Sequence, residues 1–332
     1  MSQTNSTLVA EAESFKDAFE SLKLEIGKIV VGQNEVVEQL LISLFSNGHC
    51  VLVGVPGLAK TLLIKTLARA LNLDFNRIQF TPDLMPSDIT GTEIIEENLE
   101  TGAKQFKFVK GPVFASIILA DEINRTPPKT QAALLEAMQE FRVTAAGKTY
   151  DLNRPFFVLA TQNPIEQEGT YPLPEAQLDR FMFNLRLDYP SFDEETDIVR
   201  QTTGNRNIEI NQILNASQIT RMQELTREVA VPESVLNYTV RLVTMTRPAS
   251  DIAPDFVKKY MSWGAGPRAS QNLILAGKTR ALSKGRFSVT EEDIEILAPA
   301  VLRHRIVNNY AAEAEQISPD RLIEWLLESA RV

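Results

Sequence analysis

One short stretch, GVPGLAKT at residues 54–61, constrains the fold of this chain more than any other feature. The apolar residues 50–53 before it predict a strand, and residues 62–71 after it carry apolar side chains at helical spacing and predict a helix. Glycines let backbone amides close around an anion, and the start of a helix adds free N–H groups and the positive end of its dipole. A strand, a tight loop and a helix in this order therefore predict a phosphate-binding loop.

Within this loop, Lys60 is placed to reach the terminal phosphates of a nucleotide, and the Thr61 hydroxyl is placed to ligate Mg²⁺. The general P-loop pattern has glycine just before the lysine, whereas this chain has Ala59. Because alanine suits the right-handed start of a helix, we expect the loop still to close. The alternative is an ordinary Gly/Pro turn between core elements.

A pair of acids follows the apolar run 112–120, which predicts a strand buried on both faces. Asp121 and Glu122 then fall at the carboxyl edge of a parallel sheet, the edge that also carries the phosphate loop. Asp121 can hold Mg²⁺ through water, and Glu122 can polarise the attacking water. Two exposed acids at a hydrated strand end are the alternative, but the neighbouring phosphate loop favours the functional interpretation.

A second buried strand, predicted at 156–161, ends near Asn163, whose amide could position a water molecule against a phosphate. Asparagine before proline is also common turn chemistry. Arg180 precedes the strand predicted at 181–187, so it lies at the opposite end from the phosphate loop and could reach the nucleotide of a neighbouring subunit. An Asp179–Arg180 surface pair is the alternative.

Beyond Tyr189-Pro190, which marks a domain boundary, the pattern is helical. Arg268 lies at the N-terminus of a long predicted helix, where a cation is unfavourable without an anion nearby. A phosphate is one candidate for that anion, and a carboxylate is the other. Two hairpins are also predicted, one over 92–109 with arms 92–95 and 105–109 and Thr101-Gly102 at its tip, and one over 142–150.

Composition narrows the class of protein. The 332 residues carry a net charge of −9, which argues against a broad nucleic-acid surface. The lone cysteine, Cys50, excludes a disulfide within one chain and fits a reducing compartment. The start of the chain lacks a signal-peptide pattern, and no apolar run approaches the roughly 20 residues needed to span a bilayer. We therefore expect a cytoplasmic protein that is not integral to a membrane, in which His49 and His304 bind no metal.

In five stretches the chain resembles the MoxR family of AAA+ ATPases, within the clade that carries an insert in helix 2. Alanine at position 59 is usual in that family. The five stretches are GVPGLAKT at 54–61, ILADEIN at 118–124, ATQNP at 160–164, LPEAQLDRF at 173–181 and GPRA at 266–269.

The resemblance implies a role for each matching residue. It implies Walker A at Lys60 and Thr61, Walker B at Asp121 and Glu122, sensor 1 at Asn163, an arginine finger acting on the adjacent subunit at Arg180, and sensor 2 on the lid at Arg268. The implied nucleotide contacts are Val31, Gly32 and Gln33 beside the adenine, with Gly54, Pro56, Gly57, Leu58, Ala59, Lys60, Thr61 and Leu62 in the loop. Thr61 and Asp121 would hold Mg²⁺.

The implied fold is α/β, with a parallel five-stranded P-loop core of strand order 5-1-4-3-2 followed by an all-α lid. We expect an N-terminal helix at 1–28 packing on the core, the core at 29–189 with its insert hairpin at about 92–109, and the lid at 190–332. The implied function is ATP hydrolysis in a ring, expected to be hexameric. It would drive chaperone-like maturation, or metal or cofactor insertion, of a partner protein complex together with a von Willebrand factor A-domain protein.

Two alternatives stay open at this point. A DNA-remodelling motor is one, because relatives with the same insert include such machines. The insert carries Lys104, Lys107 and Lys110, but also Glu93, Glu96, Glu97 and Glu100, and this balance does not favour DNA. An ATP-gated assembly scaffold with little turnover is the other, although pure binding needs neither a Walker B glutamate nor an arginine finger.

Overall fold

The computed structural model describes residues 2–97, 104–165, 169–204 and 208–331, with side chains from residue 10 onward. Its strands are β1 Cys50–Gly54, β2 Phe75–Gln79, β3 Gly91–Glu97, β4 Lys104–Lys110, β5 Ile117–Asp121, β6 Arg142–Ala145, β7 Lys148–Asp151, β8 Phe157–Gln162, β9 Phe183–Leu187, β10 Met261–Trp263 and β11 Val307–Asn308. Two short 3-10 helices lie at Pro112–Phe114 and Ile123–Arg125.

The α-helices alternate with the core strands and then continue without them. They are α1 Ser2–Gly27, α2 Asn34–Phe45, α3 Lys60–Ala70, α4 Pro86–Thr90, α5 Pro128–Glu140, α6 Glu175–Leu178, α7 Phe192–Thr203, α8 Ala216–Glu228, α9 Glu233–Met245, α10 Asp255–Tyr260, α11 Pro267–Ser283, α12 Glu291–Leu302, α13 Tyr310–Ala314 and α14 Pro319–Ala330. Among the described residues, no helix is both long and apolar enough to cross a bilayer.

The central sheet is parallel throughout, with strand order β2-β5-β8-β1-β9. Counted along the chain, these strands have the predicted order 5-1-4-3-2, which confirms the α/β fold. β5 and β8 are buried on both faces, as their apolar sequences predicted. Since all five strands run the same way, the residues that follow β1, β5 and β8 gather at one edge of the sheet.

Three local predictions need correction. The apolar run 112–120 is not one strand, because Pro112 starts a 3-10 turn and pairing begins only at Ile117. The last core strand begins at Phe183 rather than 181, since the N–H of Phe181 donates to the carbonyl of Leu178 and continues the preceding turn. The helical lid is confirmed, but it also contains the antiparallel β10–β11 pair, which is too short to show a sequence pattern.

The helical part of the chain packs directly on its own core. The Ser46 and Thr279 hydroxyls are hydrogen-bonded at 2.7 Å and join the end of α2 to α11. Gln223 of α8 donates to the carbonyl of Leu44 in α2 at 2.7 Å. Arg303, which follows α12, donates to the carbonyl of Asn184 in β9 at 2.8 Å. These contacts place α8 and α11 beside α2.

The insert predicted at 92–109 forms an antiparallel hairpin of β3 and β4, in which Gly91 pairs with Lys110 and Glu97 pairs with Lys104. The predicted tip at Thr101-Gly102 lies outside the described residues. Ile95 and Phe106 face each other across the hairpin and are 63% and 75% exposed. The insert therefore presents apolar side chains away from the core.

His49 is a structural histidine that links two elements of the core. Its Nδ1 accepts the N–H of Val158 at 3.1 Å, and its Nε2 lies 3.1 Å from the carbonyl of Met138. Burial lowers the pKa of His49 to about 4. Burial also lowers the pKa of His304, assisted by the charge of Arg305.

This burial predicts acid sensitivity. His49 is protonated below about pH 6.5 in the unfolded chain, but only below about pH 4 in the folded protein. Because the unfolded state binds more protons between these values, the free energy of unfolding falls as the pH drops from about 6.5 to about 4. We expect a loss of about 2 kcal/mol at pH 5 relative to pH 7.5 from this group alone. Urea unfolding at the two pH values, compared with His49→Gln, measures it. An equal loss in wild type and variant would contradict the assignment.

Candidate active site

The loop between β1 and α3 encloses a cavity of about 510 Å³ at the carboxyl edge of the sheet. We call it the phosphate cradle. It is lined by Pro56, Gly57, Leu58, Ala59, Lys60, Thr61, Leu62, Asp121, Glu122 and Asn163. The structure thus brings the predicted loop, both acids and the predicted amide to one place. Asp121 and Glu122 both line this cavity, and their side chains are 14% and 24% exposed.

Backbone geometry explains how the loop closes. Gly57 has a φ of 88°, a conformation that favours glycine. Ala59 has a φ of 55° and precedes the helix in the left-handed region, so the expected right-handed start at this residue is wrong. A Cβ on Gly54 would lie 2.8 Å from the Cβ of Leu187, so only glycine allows the close approach of β1 and β9. Lys60 Nζ donates to the Gly54 carbonyl across the loop.

Asp121 is held on both carboxylate oxygens. Thr161 Oγ1 donates to its Oδ1 at 2.6 Å, and Arg77 donates to its Oδ2 from Nε at 3.0 Å and from Nη2 at 2.6 Å. The N–H of Glu122 donates to the same Thr161 hydroxyl at 2.9 Å. Thr161 therefore sets the positions of both acids relative to β8.

Glu122 adopts a φ of 57°, which turns the chain sharply after β5. Gln79 Nε2 donates to its Oε2 at 2.9 Å, and Arg125 Nε lies 3.2 Å from the same oxygen. These two contacts orient the carboxylate toward the cradle. A carboxylate fixed in this way can polarise a water molecule and accept its proton.

Asn163 lies at the end of β8 and is only 5% exposed. Its Oδ1 accepts the N–H of Ile165 at 3.2 Å, which is the turn chemistry expected before proline. Its Nδ2 is buried and has no hydrogen-bond partner within the part of the chain that the structure describes. Buried donors are normally paired, so this amide is a donor available to a ligand in the cradle.

The donor set also suits Mg²⁺. Hydroxyl and carboxylate oxygens are its preferred protein ligands, and Thr61 and Asp121 line the same cavity. Asp121 Oδ1 and Oδ2 already carry hydrogen bonds, so a cation would share or replace the Arg77 contact.

A second cavity, of about 460 Å³, adjoins the cradle through Pro56, Gly57, Leu58, Ala59 and Leu62. Val31 and Gln33 line its far side. Gly32 has a φ of 70°, and a Cβ on it would lie 2.6 Å from Glu194 Oε1. Gln33 Nε2 donates to the Asp188 carbonyl at 3.1 Å. This slot, which is mostly apolar, has the character that a flat heterocyclic base requires.

Arg180 and Arg268 are not brought to the cradle. They line a separate cavity of about 350 Å³ between core and lid, together with Arg227. Arg268 Nη1 donates to Asp179 Oδ2 at 3.1 Å, which is the carboxylate alternative considered above. Asp179 also accepts from Arg305 Nε at 2.7 Å, so it does not pair with its neighbour Arg180.

Comparison with known proteins decides the family. Residues 49–183 match the family model described as ATPase family associated with various cellular activities (AAA), and residues 255–325 match the AAA lid domain. The chain is 44% identical over 322 residues to Chaperone MoxR1 of Mycobacterium tuberculosis, covering 97% of this chain and 83% of that protein. The chain belongs to the MoxR family of AAA+ ATPases.

Other members agree. Uncharacterized protein YeaC of Bacillus subtilis is 41% identical over 308 residues, covering 92% of each chain. A crystal structure of a Cytophaga hutchinsonii protein, provisionally named as an ATPase, superposes with a TM-score of 0.90 at 43% identity, covering 99% of this chain and 98% of that one. With the MoxR1 match, these similarities confirm the resemblance to the MoxR family. Use of ATP with Mg²⁺ is general in the AAA family.

Sequence reasoning missed several residues of this MoxR site. Arg77, Gln79 and Thr161 contact Asp121 or Glu122, and Tyr189 and Ile198 line the apolar slot beside the cradle. Alternation along β2 puts Arg77 and Gln79 on one face with β5 residues, because Gln79 pairs with Asp121. The alternation along β2 predicts contacts between these residues and the two acids only once β2 is known to lie beside β5. Tyr189 and Ile198 had no signal, since they reach the slot only through the path of the chain after β9.

Proposed function

We propose that this MoxR-family protein is an ATP hydrolase that works as a closed ring, with hexamers expected from the family. One observation carries the proposal: Lys60, Thr61, Asp121, Glu122 and Asn163, whose Nδ2 has no hydrogen-bond partner among the described residues, all line one cavity at the carboxyl edge of a parallel sheet. Binding alone does not need a fixed carboxylate beside a free amide donor, so the arrangement favours turnover over a passive scaffold.

Each residue of the cradle has a distinct task. The loop amides and Lys60 bind the phosphates, and Asn163 Nδ2 donates to the terminal phosphate or to the attacking water. Glu122 takes a proton from that water as the new oxygen–phosphorus bond forms and the bond from the terminal phosphorus to the bridging oxygen breaks, which leaves ADP and inorganic phosphate. Mg²⁺ held by Thr61 and Asp121 would neutralise charge on the phosphate oxygens. The base slot fixes the far end of the nucleotide.

The cradle is short of positive charge. Among the described residues that line it, Lys60 is the cation and Asp121 and Glu122 are acids, while Arg77 and Arg125 are bonded to those two acids and do not line the cavity. Phosphoryl transfer needs cations around the developing charge, and a neighbouring subunit can supply them in trans. Arg180 lies at the opposite edge of the sheet from the cradle of its own subunit, as an arginine finger for the next subunit requires. Because Arg268 lies in the same cavity as Arg180, we propose that it too acts on the neighbour's nucleotide.

A head-to-tail contact between cradle and arginines is heterologous, and such contacts form a ring when the rotation between subunits closes. The exposed Ile95 and Phe106 of the insert suit an apolar segment of a client protein. Lys107 pairs with Glu96 at 2.8 Å, and Lys148 lies 3.8 Å from Glu93, so the lysines there are offset by acids. This favours a protein client over DNA.

The relative named as a chaperone supports a maturation role. We propose that the ring matures a partner complex, or inserts its metal or cofactor, together with a von Willebrand factor A-domain protein. Capture of partners by a Glu122→Gln variant in its own host would identify them. A cytoplasmic location belongs to the same proposal.

Phosphate release from ATP tests the proposal. Lys60→Ala removes the cation of the cradle, and we expect ATP binding to weaken at least tenfold and turnover to fall to background. Lys65→Ala, on the exposed side of the same helix, is the matched control and should turn over ATP like the wild type. Equal turnover in the two variants would contradict the assignment of the cradle.

A further inference from the structure

The cavity between core and lid is built to hold an anion. Arg180, Arg227 and Arg268 line it, and we call it the arginine cleft. Among the described residues that line it, Glu140 is the one carboxylate, and it lies 3.3 Å from Arg142. Arg268 is bonded to Asp179, but Arg180 and Arg227 add positive charge to the cleft in a chain of net charge −9.

The side chain of Arg227 lines this cleft and makes no hydrogen bond or ion pair within the described ranges. The same holds for Arg180. Arg221 lies on the same helix and contacts three acids, Glu11 at 2.8 Å, Glu224 at 3.5 Å and Glu228 at 3.6 Å. On α8, therefore, Arg221 lies outside the cleft and is paired with acids, whereas Arg227 lines the cleft and has no side-chain partner among the described residues.

The position of Arg227 is nonetheless fixed. Lys278 Nζ of α11, the helix that carries Arg268, donates to the Arg227 carbonyl at 2.8 Å. Gln223, one helical turn earlier, is bonded to the carbonyl of Leu44 in α2. Helix α8, which carries Arg227, is therefore bonded both to α11 of the lid and to α2 of the core.

The cleft cannot serve the cradle of its own subunit. Cys50 of β1 pairs with Phe183 of β9 at one end, and Gly54 pairs with Leu187 at the other. The cleft lies just before Cys50 and Phe183, whereas the cradle begins after Gly54. The strand between them spans about 13 Å, which is beyond the reach of an arginine side chain into the cradle. A nucleotide held in a cradle can therefore reach the cleft only if that cradle belongs to a second copy.

We propose that Arg227 is a third arginine contact to the triphosphate held in the cradle of the adjacent subunit. It acts from the lid beside Arg268, opposite Arg180 of the core. The inference rests on the proposed function and extends it, because neither a motif nor a family match points to this residue. Interaction with the dipole of its own helix is the competing explanation for a basic residue in the last turn of α8.

The first test is turnover by the full chain. Arg227→Ala is expected to lower kcat about tenfold to a hundredfold and to leave ATP affinity of the cradle and the thermal unfolding midpoint unchanged. Arg241→Ala is the matched control, because Arg241 is an exposed lid arginine on α9 outside the cleft. Equal kcat in the two variants overturns the inference and favours the helix-dipole explanation.

The second test separates trans from cis action. A 1:1 mixture of Arg227→Ala and Lys60→Ala subunits should recover up to about a quarter of wild-type turnover, since random assembly leaves that share of interfaces intact. No recovery overturns the inference.

If Arg227→Ala unfolds, both tests are carried out with Arg227→Gln instead, because glutamine keeps the aliphatic stem of the side chain. Failure of the ATPase proposal itself would differ, because wild type and Arg241→Ala would then lack turnover that depends on Lys60.

Discussion

Glu122→Gln is expected to lower the rate of ATP hydrolysis by about a hundredfold to ten-thousandfold while ATP binding is retained. The glutamine keeps the size of the side chain and can still accept the Gln79 amide, which donates to Glu122 Oε2 at 2.9 Å. It loses the ability to take a proton from water. The phosphates, in contrast, are bound by the loop and Lys60, which the substitution does not touch. Phosphate release at saturating ATP measures turnover, and calorimetry measures binding.

Glu136→Gln supplies the control for this experiment. Glu136 is an exposed acid on α5, away from the cradle, and its replacement should leave both turnover and binding at wild-type levels. If Glu122→Gln also turned over ATP normally, the role of Glu122 as the base would be wrong. If it lost binding as well, the carboxylate would be acting on the structure of the cradle rather than on the attacking water.

Arg180→Ala is expected to lower turnover by about a thousandfold, the scale of an arginine finger acting in trans. The side chain lies in the arginine cleft, outside its own cradle, so ATP binding by a single subunit should not change. Mixing Arg180→Ala with Lys60→Ala subunits should recover up to about a quarter of wild-type turnover, because some interfaces then combine an intact cradle with an intact arginine.

Arg200→Ala is a suitable control, since Arg200 is a surface arginine of α7 whose contact is Asp197 at 3.0 Å. It should behave as wild type alone and in mixtures. Complete absence of recovery in the Arg180 mixture would show that the finger does not act between subunits. The ring mechanism would then lose its main support, even if hydrolysis itself were demonstrated.

Much of the cradle was predictable because its information is local. A strand, a glycine loop and a helix specify their own geometry, and acids that follow buried parallel strands must meet at the same edge. The sequence therefore predicted that Lys60, Asp121, Glu122 and Asn163 would lie at one edge of the sheet, and all four line the cradle. The backbone conformation of Ala59 was not predictable, since its left-handed φ comes from closure of the whole loop rather than from the preference of alanine.

The sequence by itself determined the parallel sheet, the phosphate cradle and the family, because each depends on short segments whose apolar spacing and turn residues act over a few positions. The tertiary structure alone decided where the lid lies against α2, and with it that Arg268 joins Arg180 and Arg227 instead of Lys60. That outcome depends on contacts between residues far apart in the chain, such as Ser46 with Thr279. Local preferences cannot encode such contacts, because the same helices could pack on another face at little local cost.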